Sequence, residues 1–140
     1  MHIYYANPNK HQDLADLMWL QLTCLPGDEP MDTTNGHWWI ARNDEKLMGF
    51  AGMVPSVRWI DAMYLCRAGV VPACRGMGLQ KKLIQVRIRK AKKLGYKWLI
   101  TDTTDNPASS NSLIALGFRL FEPQKPWAFP NSLYFRLKIG

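Results

Sequence analysis

The turn Val70-Val71-Pro72-Ala73-Cys74-Arg75-Gly76-Met77-Gly78-Leu79-Gln80 constrains this chain more than any other stretch. A β-branched pair closed by proline ends a strand. Leu83, Ile84, Val86, Ile88, Ala91 and Leu94 then recur as a broad helical stripe that stops at Gly95. A strand therefore turns through a glycine loop into a helix. Such a turn leaves backbone N–H groups unpaired at the helix N-terminus, where the macrodipole adds about half a positive charge. Glycines at 76 and 78 let an anion approach without meeting a Cβ, so the loop suits a phosphate. A tight turn with no ligand is the other reading.

Charge supports the first reading. The net charge is +7, yet no carboxylate lies between Asp61 and Asp102, where Arg67, Arg75, Lys81, Lys82, Arg87, Arg89, Lys90, Lys92, Lys93 and Lys97 supply ten of the 18 basic residues. A basic helix without acids repels itself and favours an anionic partner: a phosphorylated cofactor, nucleic acid or an anionic membrane. A solvated helix face is the bland alternative. Between Leu79 and Leu94 no aromatic side chain is interleaved to stack or read bases, which argues against a specific nucleic-acid reader.

The 140 residues are the size of one domain, and we expect residues 1–140 to form a single one. No apolar run reaches the roughly 18 residues that span a bilayer, and Met1 to Tyr5 does not read as a secretion signal, so a cytoplasmic protein without membrane partner is expected. Cys24, Cys66 and Cys74 lack Cys-x-x-Cys spacing, and His2, His11 and His37 are scattered, so we read reduced thiols and no metal site.

In chain order, His2 to Tyr5 reads as a strand, and Leu14, Leu17, Met18, Leu22 and Leu25 predict an amphipathic helix from about Lys10 to Leu25, ended by Pro26-Gly27. The acidic stretch from Pro26 to Gly36 is a loop or a short irregular helix. Trp38 to Arg42 and Leu47 to Val54 form an antiparallel hairpin, and Met63 to Val71 is the strand feeding the glycine loop. Gly69 inside it signals a bulge or a close backbone approach. Trp98 to Thr101 is the next strand, so a strand, a crossover helix and a parallel strand form a right-handed unit. Asn106 caps a short helix with Pro107 at its first position and Gly117 at its stop. After Leu120-Phe121 comes a Pro-rich turn, in which Trp127 and Phe129 are packing anchors or a binding box, and a last strand from Ser132 to Ile139.

Val70, Pro72, Arg75 and Gly78 resemble motif A of the GNAT (GCN5-related) N-acetyltransferases, Arg/Gln-x-x-Gly-x-Gly/Ala after a strand ending in Val-x-Pro. Gln80 stands where that family usually has Gly or Ala. Asn106 to Phe118, with Leu116-Gly117-Phe118, resembles motif B in the right order and at a plausible separation. The likeness covers roughly residues 62–121. It implies an α/β (α+β) fold with a mixed, mostly antiparallel twisted sheet of six to seven strands flanked by helices, and direct acetyl transfer from acetyl-CoA to a primary amine.

The same resemblance implies roles. Arg75, Gly76, Met77, Gly78, Leu79 and Gln80 would wrap the pyrophosphate, and Val70 and Val71 would pair with the pantetheine amides. Asn106 and Asn111 are weaker cofactor-side candidates, with cap and surface roles as their alternatives. The tyrosine many members carry four residues before Gly117 is here Leu113, and the glutamate often found four residues before the matching valine is Cys66. Asp102 and Tyr134 are the remaining candidates for accepting a proton. A CoA-binding protein without catalysis and a basic nucleic-acid-binding module are the competing functions, and homodimerisation is left open. Charge alone predicts weak binding to duplex DNA that is lost by about 0.2 M salt; sequence-selective binding surviving that salt in a fluorescence titration would refute the phosphate-only account of the basic helix.

Overall fold

The computed structural model describes residues 1–140. The elements are β1 (His2–Ala6), α1 (His11–Cys24), β2 (His37–Asn43), β3 (Lys46–Pro55), β4 (Ala62–Val70), α2 (Leu79–Lys93), β5 (Trp98–Thr103), α3 (Pro107–Ala115), β6 (Arg119–Leu120) and β7 (Leu133–Lys138). The seven strands follow the order β1-β2-β3-β4-β5-β7-β6. β4 and β5 are parallel, as a crossover through α2 requires, while β1–β2, β2–β3, β5–β7 and β6–β7 are antiparallel. This is the mixed, mostly antiparallel sheet with flanking helices that the sequence led us to expect. The chain falls into two compact units, Met1–Val54 with Cys66–Leu83 and Pro55–Leu65 with Ile84–Gly140, so β4 and α2 each contribute to both.

In the first unit two clusters pack on opposite faces of the β2–β3 hairpin. Leu17 and Leu20 of α1 join Ala6, Met31, Trp38, Ile40 and Phe50 on one side. Ala41, Met48 and Ala51 join Leu79 and Leu83 on the other. The alternation of Ile40 with Ala41 and of Phe50 with Ala51 produces this split. A bulge re-aims Met48: Ala41 pairs with Gly49 but Arg42 pairs with Leu47, so Met48 is the extra residue.

The apolar stripe expected on α1 is mis-phased at its end. Leu22 is 64% exposed, and the inward residues are Asp16, Leu17, Leu20 and Gln21. Two of these are polar, which is why periodicity misplaced the face. Asp16 receives Arg42 at 2.5 Å and Gln12 at 2.8 Å. The Gln21 amide donates to the Glu29 carbonyl and accepts from Met31 N–H, both at 2.7 Å, and so ties down the acidic stretch, which is a loop throughout.

In the second unit β4 pairs with β5 over three residues, Ala62 to Tyr64. Beyond them the Leu65 carbonyl accepts instead from the Thr101 hydroxyl at 2.8 Å. β5 pairs with β7 along its full length. The Arg136 guanidinium lies 5.1 to 5.7 Å from the ring centres of Phe121, Trp98 and Trp59, and the two tryptophans stack at 5.0 Å.

Gly69 is a close-approach glycine: a Cβ there would sit 2.4 Å from Cys24 Cβ and 3.1 Å from the Phe50 ring. Gly69→Ala should therefore cost about 1–3 kcal/mol, read as a lower denaturation midpoint at unchanged slope. An unchanged midpoint would show that α1 does not pack against this strand.

Candidate functional site

The glycine loop begins earlier than the sequence suggests, because Pro72–Cys74 forms one 3₁₀ turn before the glycines. Cys74 N–H bonds the Val71 carbonyl at 2.8 Å, and Arg75 N–H bonds the Pro72 carbonyl at 3.3 Å. Gly76 and Gly78 then take φ of +80° and +77°, values that disfavour any residue with a Cβ. A Cβ at either would meet nothing within 4 Å, so space is open around both. Arg75, Gly76, Met77 and Gly78 are exposed, and Gln80 is half-buried.

Leu79 is only 2% exposed and packs with Ala41, Met48 and Leu83. Its side chain is a core anchor, and only its backbone is available to a ligand. The bond from Lys82 N–H to the Gly78 carbonyl opens the helix. An exposed arginine, two left-handed glycines and a basic helix start form a cradle whose donor set fits a pyrophosphate.

Upstream of this loop Val71 is fully engaged: its N–H bonds the Met48 carbonyl and its carbonyl accepts Cys74 N–H, both at 2.8 Å. Neighbouring residues of a strand turn their polar groups to opposite edges, so Val70 has the opposite edge. Val71 is therefore not available for the pairing expected of both valines, which leaves Val70 as the candidate. Cys66 packs with the cluster that contains Phe50, whereas Ala68 and Val70 pack with the one that contains Leu79. Regular alternation would put all three on one face, so β4 slips between Cys66 and Ala68. The bulge expected at Gly69 lies just before it.

The slip also affects Arg67, expected on the face opposite Cys66. Its guanidinium donates to the Glu29 carbonyl, in the loop whose Met31 belongs to the Cys66 cluster. Cys66 is half-buried in apolar surroundings. Burial pushes the nearby Cys24 thiol above its ordinary range, an effect opposed by Arg75 and reinforced by Cys74.

In the second unit Asn106 is the N-cap of α3, accepting Ser109 N–H at 3.1 Å with its side chain. Asn111 is exposed on that helix. Leu113 is 4% exposed and belongs to the core. Asp102 and Tyr134 are directly opposite on β5 and β7. One oxygen of Asp102, Oδ2, accepts both the Tyr64 hydroxyl at 2.6 Å and the Trp127 indole N–H at 2.8 Å. The buried Tyr134 hydroxyl accepts Ala128 N–H at 2.9 Å.

Tyr64 escaped the sequence reading, although the period of two places it on the same face as Asp102 once β4 and β5 are paired through Tyr64 and Ile100. Of the two aromatics in the Pro-rich turn, Trp127 is held by this network, while Phe129 is 68% exposed and anchors nothing in the core.

Residues 5–118 match the acetyltransferase (GNAT) family. The chain is 26% identical over 116 residues to the probable N-acetyltransferase camello of Xenopus laevis, covering 82% of this chain and 49% of that protein. It therefore spans about half the length of this relative. An acetyltransferase from Bacillus subtilis in complex with CoA has a similar structure, with a TM-score of 0.73, 19% identity and coverage of 98% and 97% of the two chains. So does the yncA protein of Salmonella typhimurium with its cofactor acetyl-CoA, with a TM-score of 0.73, 17% identity and coverage of 100% and 94%. At such identities these structures establish the fold. With the match over most of its length, the chain belongs to the GNAT acetyltransferase family.

Proposed function

We propose that this protein is an acetyl-CoA-dependent N-acetyltransferase acting directly on a primary amine. The observation that carries the reading is the pair of left-handed glycines, Gly76 and Gly78, in an open, exposed loop at the start of a basic helix. Amides of Gly76, Met77, Gly78, Leu79 and Gln80, with the Arg75 side chain, would bind the pyrophosphate, and the Val70 backbone would pair with the pantetheine as an added strand does. Asn106 and Asn111 remain candidates at the cofactor's periphery. Bound acetyl-CoA supplies the activated acyl group.

In this reading a neutral amine attacks the thioester carbonyl, the C–N bond forms as the C–S bond breaks, and backbone N–H groups near the β4 slip stabilise the developing oxyanion. Asp102 is the candidate carboxylate for the amine proton, with Tyr134 as the second candidate. With Leu113 in the core, no side chain at that position protonates the leaving thiolate. A thiolate with a conjugate acid pKa of about 8.5 leaves without one at modest cost.

Acetyl-CoA at about a hundred times its Kd should stabilise the fold by roughly 2.7 kcal/mol, read as a raised Tm. Gly78→Glu should abolish that shift, because its carboxylate would face the pyrophosphate; an unchanged shift in the variant would remove the loop from the site.

A catalytically silent CoA-binding protein is the second reading, favoured by the packing of Leu113 and Cys66 at positions where relatives carry acid and base. Release of free CoA across a panel of amines separates the two. Direct transfer predicts that Cys66→Ala keeps most of its activity and that labelled acetyl-CoA alone leaves no acetyl group on the protein. A labelled peptide containing Cys66, with ping-pong kinetics, would establish an acyl-enzyme instead.

A further inference from the structure

We propose that Asp102, with Tyr64 and Trp127, is a binding site for an alkylammonium group. Binding of the cation requires no cofactor.

Asp102 is a carboxylate without a counter-charge at bonding distance. Asp102 is half-buried on β5, and both hydrogen bonds it receives come from neutral donors, the Tyr64 hydroxyl and the Trp127 indole, on one oxygen. Neutral donors fix the carboxylate in place but leave its charge whole. The ion pair between Arg42 and Asp16 does not involve it. A half-buried carboxylate bonded by no side-chain cation is a place where a ligand cation is favoured.

Ring faces lie beside the N–H and O–H edges that Trp127 and Tyr64 turn to Asp102. Tyr64 meets Trp127 edge-on at 6.5 Å and 86°, Tyr134 meets it at 4.6 Å and 73°, and Phe121 lies 6.4 Å from it. Ring faces attract cations and repel anions. One cation is already there: the Arg58 guanidinium lies 5.1 Å from the centre of the Trp127 ring. Arg58 is exposed, on the turn between β3 and β4. It competes for that ring face with a ligand whose ammonium bonds Asp102.

The test uses the full chain without acetyl-CoA and follows the Trp127 indole N–H resonance, assigned through Trp127→Phe. Butylammonium chloride, butanol and sodium butyrate are titrated at constant ionic strength. Butylammonium should give a saturable shift, while butanol and butyrate give none. Asp102→Asn, which keeps an acceptor for its two donors, should weaken butylammonium at least tenfold. Arg58→Ala should tighten it several-fold by removing the competitor, a gain that a merely structural arginine would not give. The proposal is overturned by absence of saturation, by equal binding of butyrate, by wild-type affinity in Asp102→Asn, or by weaker binding in Arg58→Ala. None of these results alters stabilisation by acetyl-CoA, so failure here is distinguishable from failure of the acetyltransfer reading.

Discussion

The glycine loop depends on the burial of Leu79. Exposed, glycine-rich backbone has much conformational entropy to lose, and the loop's own contacts are few. What holds it is the packing at its two ends: Val70 and Cys74 on one side and Leu79 on the other lean on the same small cluster. Burying a leucine contributes about 1.5–3 kcal/mol, enough to fix where the helix begins. The start of α2 is thereby aimed by a core residue, while the atoms that would meet an anion belong to backbone opened by Gly76 and Gly78.

Neutral amides and aromatic rings order much of this strongly charged chain, beside the ion pair of Arg42 with Asp16. Gln21 reads both polarities of the loop backbone at Glu29 and Met31, Arg67 donates to a carbonyl, and Arg136 rests on three aromatic rings. Such contacts are weakened less by salt than exposed ion pairs, whose net contribution is about 0–1 kcal/mol.

The fold was legible where one physical signal dominated. The proline after Val71, the glycine after Leu94 and the cap at Asn106 fix the ends of β4, α2 and α3 because each acts through its own backbone geometry. What stayed hidden depends on partners remote in sequence. Leu22 fits the helical period as well as Leu20 does, and only the presence of Asp16 and Gln21 on the inner face, each satisfied from another element, decides between them. Gly69 signalled a bulge in β4 but not its place, since Cys66 and Ala68 are both small and either face accepts them. In the candidate site, Gly76 and Gly78 were readable because φ restricts residue type. The joining of Tyr64, Asp102 and Trp127 needed the strand order and the course of a Pro-rich turn.

A basic protein that binds a cation looks contradictory at the level of net charge, and the contradiction dissolves on the scale over which charges act. Fields from exposed groups fall off over about 8 Å at physiological ionic strength, so the sum over the molecule matters less than what lies within that distance. The exposed charges of α2, namely Lys81, Lys82, Arg89, Lys92 and Lys93, belong to one helix, whereas Asp102 lies on β5 between neutral donors. Steering a polyanionic cofactor draws on the summed field of many exposed lysines, while holding one ammonium draws on a single fixed carboxylate and ring faces at contact distance. The first works at long range and asks for little geometry; the second works at short range and asks for much. A chain with no carboxylate between Asp61 and Asp102 can therefore serve both partners, because the residue that ends the basic stretch is the one whose neighbours leave its charge unopposed.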